Sequence, residues 1–185
     1  MEAKLNETEA GSASQDALAF LEADHRAVEK LFSAFERSAD DDLERKSALA
    51  QRACEELSIH TILEEEFLYP AAQDALPDDG KIDVDEAYIE HFLVKTLIAK
   101  FETLKAGEKG FDATFKVMSE MVGHHVEEEE QQLFPELRKS KCDLHTLGGK
   151  MAKRKAELQS KLDAVGSRSV GDKTGAFRFD SARLS

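Results

Sequence analysis

Tryptophan is absent from the 185-residue sequence, and cysteine and proline are scarce at two and three residues. Two cysteines, Cys54 and Cys142, cannot build a disulfide framework. Free thiols in a reducing compartment account for them, so a cytoplasmic protein is expected. Long apolar runs are missing too. Nothing approaches the ~20 residues that cross a bilayer, and the opening MEAKLNETEAGSASQ has no apolar centre, so neither a secretory leader nor a transit peptide is expected. Positive charge is in deficit, with 25 Lys+Arg against 38 Asp+Glu and a formal net charge of −13. That field repels phosphate backbones and anionic membrane surfaces and draws cations in, so no nucleic-acid and no membrane partner is expected. With few Gly and Pro and almost no alternating Val/Ile/Thr, little material remains for strands.

What is present is helical periodicity. A capping-box-like Ser12-Ala13-Ser14-Gln15 opens a first pattern to about Ser38, with Leu18, Leu21, His25, Val28, Phe32 and Phe35 spaced by threes and fours. A second runs from Leu43 through Ala50, Leu57, His60 and Glu64 and is expected to stop at Tyr69-Pro70. A third carries Val84, Ala87, His91, Val94, Ile98 and Phe101 and closes at Gly107 and Gly110. A fourth carries Phe111, Phe115, Met118, Val122, His125 and Glu129 and ends at Phe134-Pro135. Each seam needs a partner, which predicts an all-α, antiparallel up-down-up-down four-helix bundle over residues 14–136. Residues 1–13 are expected to be flexible. Residues 137–165 form an accessory C-terminal helix whose apolar face includes Leu147, Met151 and Leu158, suited to the bundle exterior, a second subunit or a protein partner. Residues 166–185 are expected to be a mobile tail.

The chain repeats internally, and the match extends to residues that do not belong in a core. IHTILEEEFLYP (59–70) lies over HHVEEEEQQLFP (124–135) at a shift of 65, pairing His60 with His125, Glu64 with Glu129 and Pro70 with Pro135. DHRAVEKLF (24–32) lies over EHFLVKTLI (90–98) at a shift of 66, pairing His25 with His91. Each half thus supplies a helix with one His, then a helix with His and Glu four residues apart on one face.

His25, His60, Glu64, His91, His125 and Glu129 all fall on the buried seams. Two unpaired carboxylates facing each other in a core cost several kcal/mol. Positive charge must sit between them, and four imidazoles with two carboxylates suit one or two divalent ions of Zn, Fe, Mn, Ni or Cu. A structural Zn site is closed by four ligands and needs no doubling. The ligand count therefore favours two iron ions with an oxo or hydroxo bridge, with Zn or Mn as substitutes.

At these residues the chain resembles the hemerythrin-like family of HHE cation-binding domains. The order His, HxxxE, His, HxxxE, with Tyr-Pro or Phe-Pro after each HxxxE, carries the resemblance over about residues 14–136. It implies a non-haem di-iron centre with those six residues as metal ligands and the two Glu as bridges. Oxygen-carrying hemerythrins have a second third-helix His and a bridging Asp on the fourth helix. Lys95 and Glu129 stand at those positions here, which argues against pure reversible dioxygen carriage. The function expected is binding of, or reaction with, dioxygen, peroxide or nitric oxide, with peroxidase-like, catalase-like or nitric-oxide-related activity. The alternatives are an iron or oxygen sensor signalling through the C-terminal helix, or iron storage.

Neighbouring residues have plainer readings. His124 lies about 100° from the seam and is read as solvated or as supporting a ligand from behind, not as a ligand itself. Tyr88, one turn before His91, is read as core packing, with a phenolate or a hydrogen bond to the site as the other option. Glu65 and Glu130 either orient ligand imidazoles or solvate helix ends.

Overall fold

The structure, a computed structural model, describes residues 16–169, with side chains described to residue 164. Ser12–Gln15 and most of the tail lie outside the described residues. Helix α1 (Ala17–Glu36) starts on Asp16, whose carboxylate accepts the Ala19 N–H at 2.9 Å and occupies one of the four donors a helix start leaves open. Helix α2 (Leu43–Leu63) is capped in the same way by Asp42. A loop with Gly107 and Gly110 at φ 86° and 97° follows α4 (Asp78–Phe101); Gly110 precedes α5 (Phe111–Glu128) in a left-handed conformation that a side chain would strain. Among the described residues there is no strand, and no helix is long and apolar enough to cross a membrane.

The second and fourth patterns do not stop at their prolines. α2 passes into a π turn at Glu64–Leu68 and continues as α3 (Tyr69–Ala75), while α5 passes into a π turn at Glu129–Leu133 and continues as α6 (Phe134–Lys139). In an α-helix the ring of Pro70 would meet the carbonyl four residues back. The wider turn shifts that ladder, the Tyr69 N–H bonding Glu64 O and the Phe134 N–H bonding Glu129 O, so each proline enters a fresh first turn where no N–H is required.

The four bundle helices bury the seams read from the sequence. Phe35 stacks on Phe115 with centroids 3.7 Å apart, and Phe101 and Phe111 meet edge to face at 5.3 Å, filling the end of the bundle remote from the prolines. Lys46, on the α2 seam, is buried there; its Nζ meets Asp112 at 2.7 Å and lies over the Phe35 ring. Helix α7 (Leu144–Ser169) extends past Gly166 and lies on the bundle exterior against α1 and α2, burying Leu147, Met151 and Leu158. Cys54 is buried in the core and Cys142 is half-buried; both are free thiols.

Candidate metal centre

All six seam residues meet in one layer of the bundle, and none is more than 4% exposed. His25 comes from α1, His60 from α2, His91 from α4 and His125 from α5; Glu64 and Glu129 each open a π turn. The rings approach in pairs, with Nε2 of His25 3.2 Å from Nε2 of His60 and Nε2 of His91 3.2 Å from Nε2 of His125. Glu64 Oε2 lies 3.0 Å from His60 Nε2 and 3.2 Å from His91 Nε2, so it spans both pairs. Glu129 Oε2 spans them as well, at 3.5 Å from His25 Nε2 and 3.7 Å from His125 Nε2. Two donor groups result: His25, His60, Glu64 and Glu129, and Glu64, His91 and His125, with donor atoms within 4.8 Å in each.

The outer ring nitrogens explain why Nε2 faces inward. His25 Nδ1 is 2.7 Å from Glu130, His91 Nδ1 is 3.0 Å from Glu65, and His125 Nδ1 is 2.7 Å from Glu90. His60 Nδ1 faces Asp24 at 4.0 Å, beyond a direct hydrogen bond. An Nδ1–H donated outward leaves the Nε2 lone pair directed into the site. Three of these carboxylates are themselves held by cations: Glu65 by Lys95 at 2.5 and 2.6 Å, Asp24 by Lys155 at 2.5 Å, and Glu130 by Arg26. Glu65 and Glu130 therefore orient imidazoles, one of the two roles their recurrence suggests. Asp24 and Glu90 do not emerge from the seams, although the repeat pairs them at the residue before each lone His.

The phenol at the site is Tyr69. It is fully buried, donates to Glu129 Oε1 at 3.0 Å and lies 3.1 Å from His91 Nε2. Burial, followed by the Glu129 and Glu64 carboxylates, holds its pKa well above the usual phenol range, so the proton stays on Oη. Its counterpart in the other half is Phe134, which stacks on His25 at 5.9 Å. Tyr88 is not core packing: it is 37% exposed, and its ring meets that of Tyr69 edge to face with centroids 5.0 Å apart. His124 is exposed and pairs with Glu128 at 3.3 Å.

The electrostatics call for positive charge. Burial opposes an imidazolium at His60, yet Glu64 and the carboxylates beyond it push its pKa up to about 10. At His125 burial is likewise outweighed by Glu129 and Glu90, to about 9. Glu64 Oε1 and Glu129 Oε2 are buried with no hydrogen-bond partner. Buried acceptors without donors, beside inward imidazole nitrogens, form the donor set of a divalent cation. Against this layer lies a cavity of about 20 Å³, walled by Val28, Leu57, Thr61, Val94, Val122, Val126 and the four histidines. Its size admits one water-sized guest.

The hemerythrin HHE cation binding domain model matches residues 16–137. An uncharacterized hemerythrin-like protein of Schizosaccharomyces pombe is 34% identical over 84 residues, which span 45% of this chain and 41% of that protein. A crystal structure of a hemerythrin HHE cation binding domain-containing protein from Mycobacterium kansasii superposes with a TM-score of 0.67 at 22% identity, covering 92% of this chain and 97% of that one; this likeness concerns the fold.

Proposed function

The chain belongs to the hemerythrin HHE cation-binding family, and on that premise we propose that His25, His60, Glu64, His91, His125 and Glu129 hold two iron ions that bind or react with dioxygen, peroxide or nitric oxide. The observation that carries the proposal is the pair of partnerless buried oxygens, Glu64 Oε1 and Glu129 Oε2, set among four inward Nε2 atoms. Iron in that donor set would supply Lewis acidity and one-electron redox chemistry toward a small oxidant. The chain's own residues do the rest. Glu65, Glu90 and Glu130 fix the ring planes, the valine-walled cavity excludes bulk water, and Tyr69 keeps a proton at Oη within reach of Glu129. Lys95, at the position of the additional His of oxygen carriers, turns outward to Glu65 and supplies no donor to the layer.

A sensing reading is favoured by one contact: Lys155 of α7 grips Asp24, which faces His60, so a change at that ring has a path to the accessory helix. Anaerobic iron loading with iron counted per chain, followed by optical spectra under air and then argon, tests the main proposal. A band that forms and reverses indicates reversible binding; irreversible conversion to a ferric spectrum indicates turnover of the oxidant. Two irons per chain in wild type, and fewer in His60→Ala and Glu129→Ala, are expected. Full iron content in both variants, or none in wild type, refutes the ligand set.

A further inference from the structure

The two halves of the bundle match at the metal layer but differ at its flanks. Between α4 and α5 a cavity of about 30 Å³ runs from the surface to the layer, lined by Asp83, Glu86, Glu90 and Glu128 outside and by His125 and Glu129 inside. Two of its lining residues, Glu90 and Glu128, also form a group with the exposed His124 in which the donor atoms lie within 4.8 Å of one another, His124 Nε2 lying 3.3 Å from Glu128. At its inner end Glu129, 2% exposed, carries the Oε2 that has no hydrogen-bond partner. Glu90 joins the two ends, because its Oε2 sits 2.7 Å from His125 Nδ1.

The repeat shows that the fold does not require this polarity. The residues equivalent to Asp83, Glu86, His124 and Glu128 in the other half are Ala17, Phe20, Ile59 and Leu63. That flank is sealed: Ala17, Ile59 and Leu63 are buried, and α7 covers it with Lys155 over the Phe20 ring at 5.4 Å. One flank is thus mostly apolar and lidded, keeping Asp24 paired with Lys155, while the other has four carboxylates lining a cavity with room for about two water-sized guests and His124 beside two of them.

We propose that Glu90, His124 and Glu128 form a second, loading site for a divalent cation, through which metal enters between α4 and α5 to reach Glu129 and His125. The site is open and offers imidazole with carboxylate, so it captures a hydrated cation weakly; the deeper donors then take it over. This inference rests on the metal-centre reading above, and its test separates the two. Chelator-stripped protein is mixed anaerobically with Co(II), and uptake is followed by stopped-flow d–d absorption, with cobalt per chain measured at the end. In His124→Ala/Glu128→Gln, which keeps all six inner residues in place, the initial rate should fall roughly tenfold or more. The final cobalt content and spectrum should match wild type. Glu44→Gln, an exposed change of one charge at the start of α2, should leave the rate unaltered. In the cobalt-filled protein, added Mn(II) should broaden the NMR signals of His124 before those of His145. An unchanged rate in the double variant, or equal broadening at both histidines, overturns the loading site alone. A wild-type chain that takes up no cobalt overturns the metal centre and the loading site together.

Discussion

Replacing Tyr69 by Phe puts at that position the residue the other half already carries, so the ring is kept and one hydroxyl is lost. That hydroxyl donates to Glu129 Oε1 at 3.0 Å in a fully buried setting. No water can replace it, and Glu129 is left with the imidazoles of His25 and His125, at 3.5 and 3.7 Å. A hydrogen bond to a buried charge contributes about 1.5–3 kcal/mol. The expected loss is about 2 kcal/mol, which for a chain of this size lowers the melting temperature by about 4–8 °C. The assay is denaturant and thermal unfolding by circular dichroism, with chelator and with bound metal. Tyr88→Phe, at a partly exposed ring, serves as the control and should change stability by less than about 0.5 kcal/mol. The loss should shrink in metal-loaded protein, where a cation offsets the Glu129 charge. If Tyr69→Phe is as stable as wild type in chelator, the hydroxyl is not a donor to a buried carboxylate and the assigned role fails.

Glu65→Gln and Glu130→Gln remove the charges that orient His91 and His25 and should each weaken metal affinity by about 10- to 100-fold with helix content unchanged, read by calorimetric titration. In chelator, stability should fall as pH rises. His60 and His125 sit at about 10 and about 9 in the folded chain, above the ordinary 6.5, so their stabilisation is complete below pH 6.5 and is lost as pH climbs through about 9 to 10. Thermal melts from pH 6 to 10 that stay flat would contradict this. Metal uptake near pH 7 should release protons, measured as a dependence of the titration heat on buffer ionisation enthalpy. Met151→Ala, at a fully buried contact of α7, should cost about 2–4 kcal/mol and expose α7 to limited proteolysis while metal content stays at the wild-type value.

The bundle was legible because its seams keep a strict three-four spacing, and the six site residues were legible because they are polar residues on an apolar stripe repeated at one shift. The orienting carboxylates were only half legible. Glu65 and Glu130 recur beside the seam glutamates, whereas Asp24 and Glu90 look like ordinary solvated acids until the helices pair across the bundle. Tyr69 escaped for a geometric reason. It lies five residues after Glu64, which in an α-helix is about 140° round the axis from it. A π turn bonds residue i to i+5 and returns that residue to the same face. The proline after Tyr69 reads as a helix stop, and neither composition nor spacing signals that the helix widens before it. Tyr88 keeps seam-like spacing to His91, but its ring is exposed.

Each half of the chain places its wide turn directly after a seam glutamate and directly before an aromatic-proline pair. An extra residue dropped into a finished helix turns everything downstream by about 100°, so two separate insertions at matching positions would each have had to re-seat a whole seam. One ancestral helical hairpin that already had the wide turn, copied once, requires a single such accommodation. On that history the turn is older than the four-helix bundle, and the divergence of Tyr69 from Phe134 and of one flank from the other came after the copy.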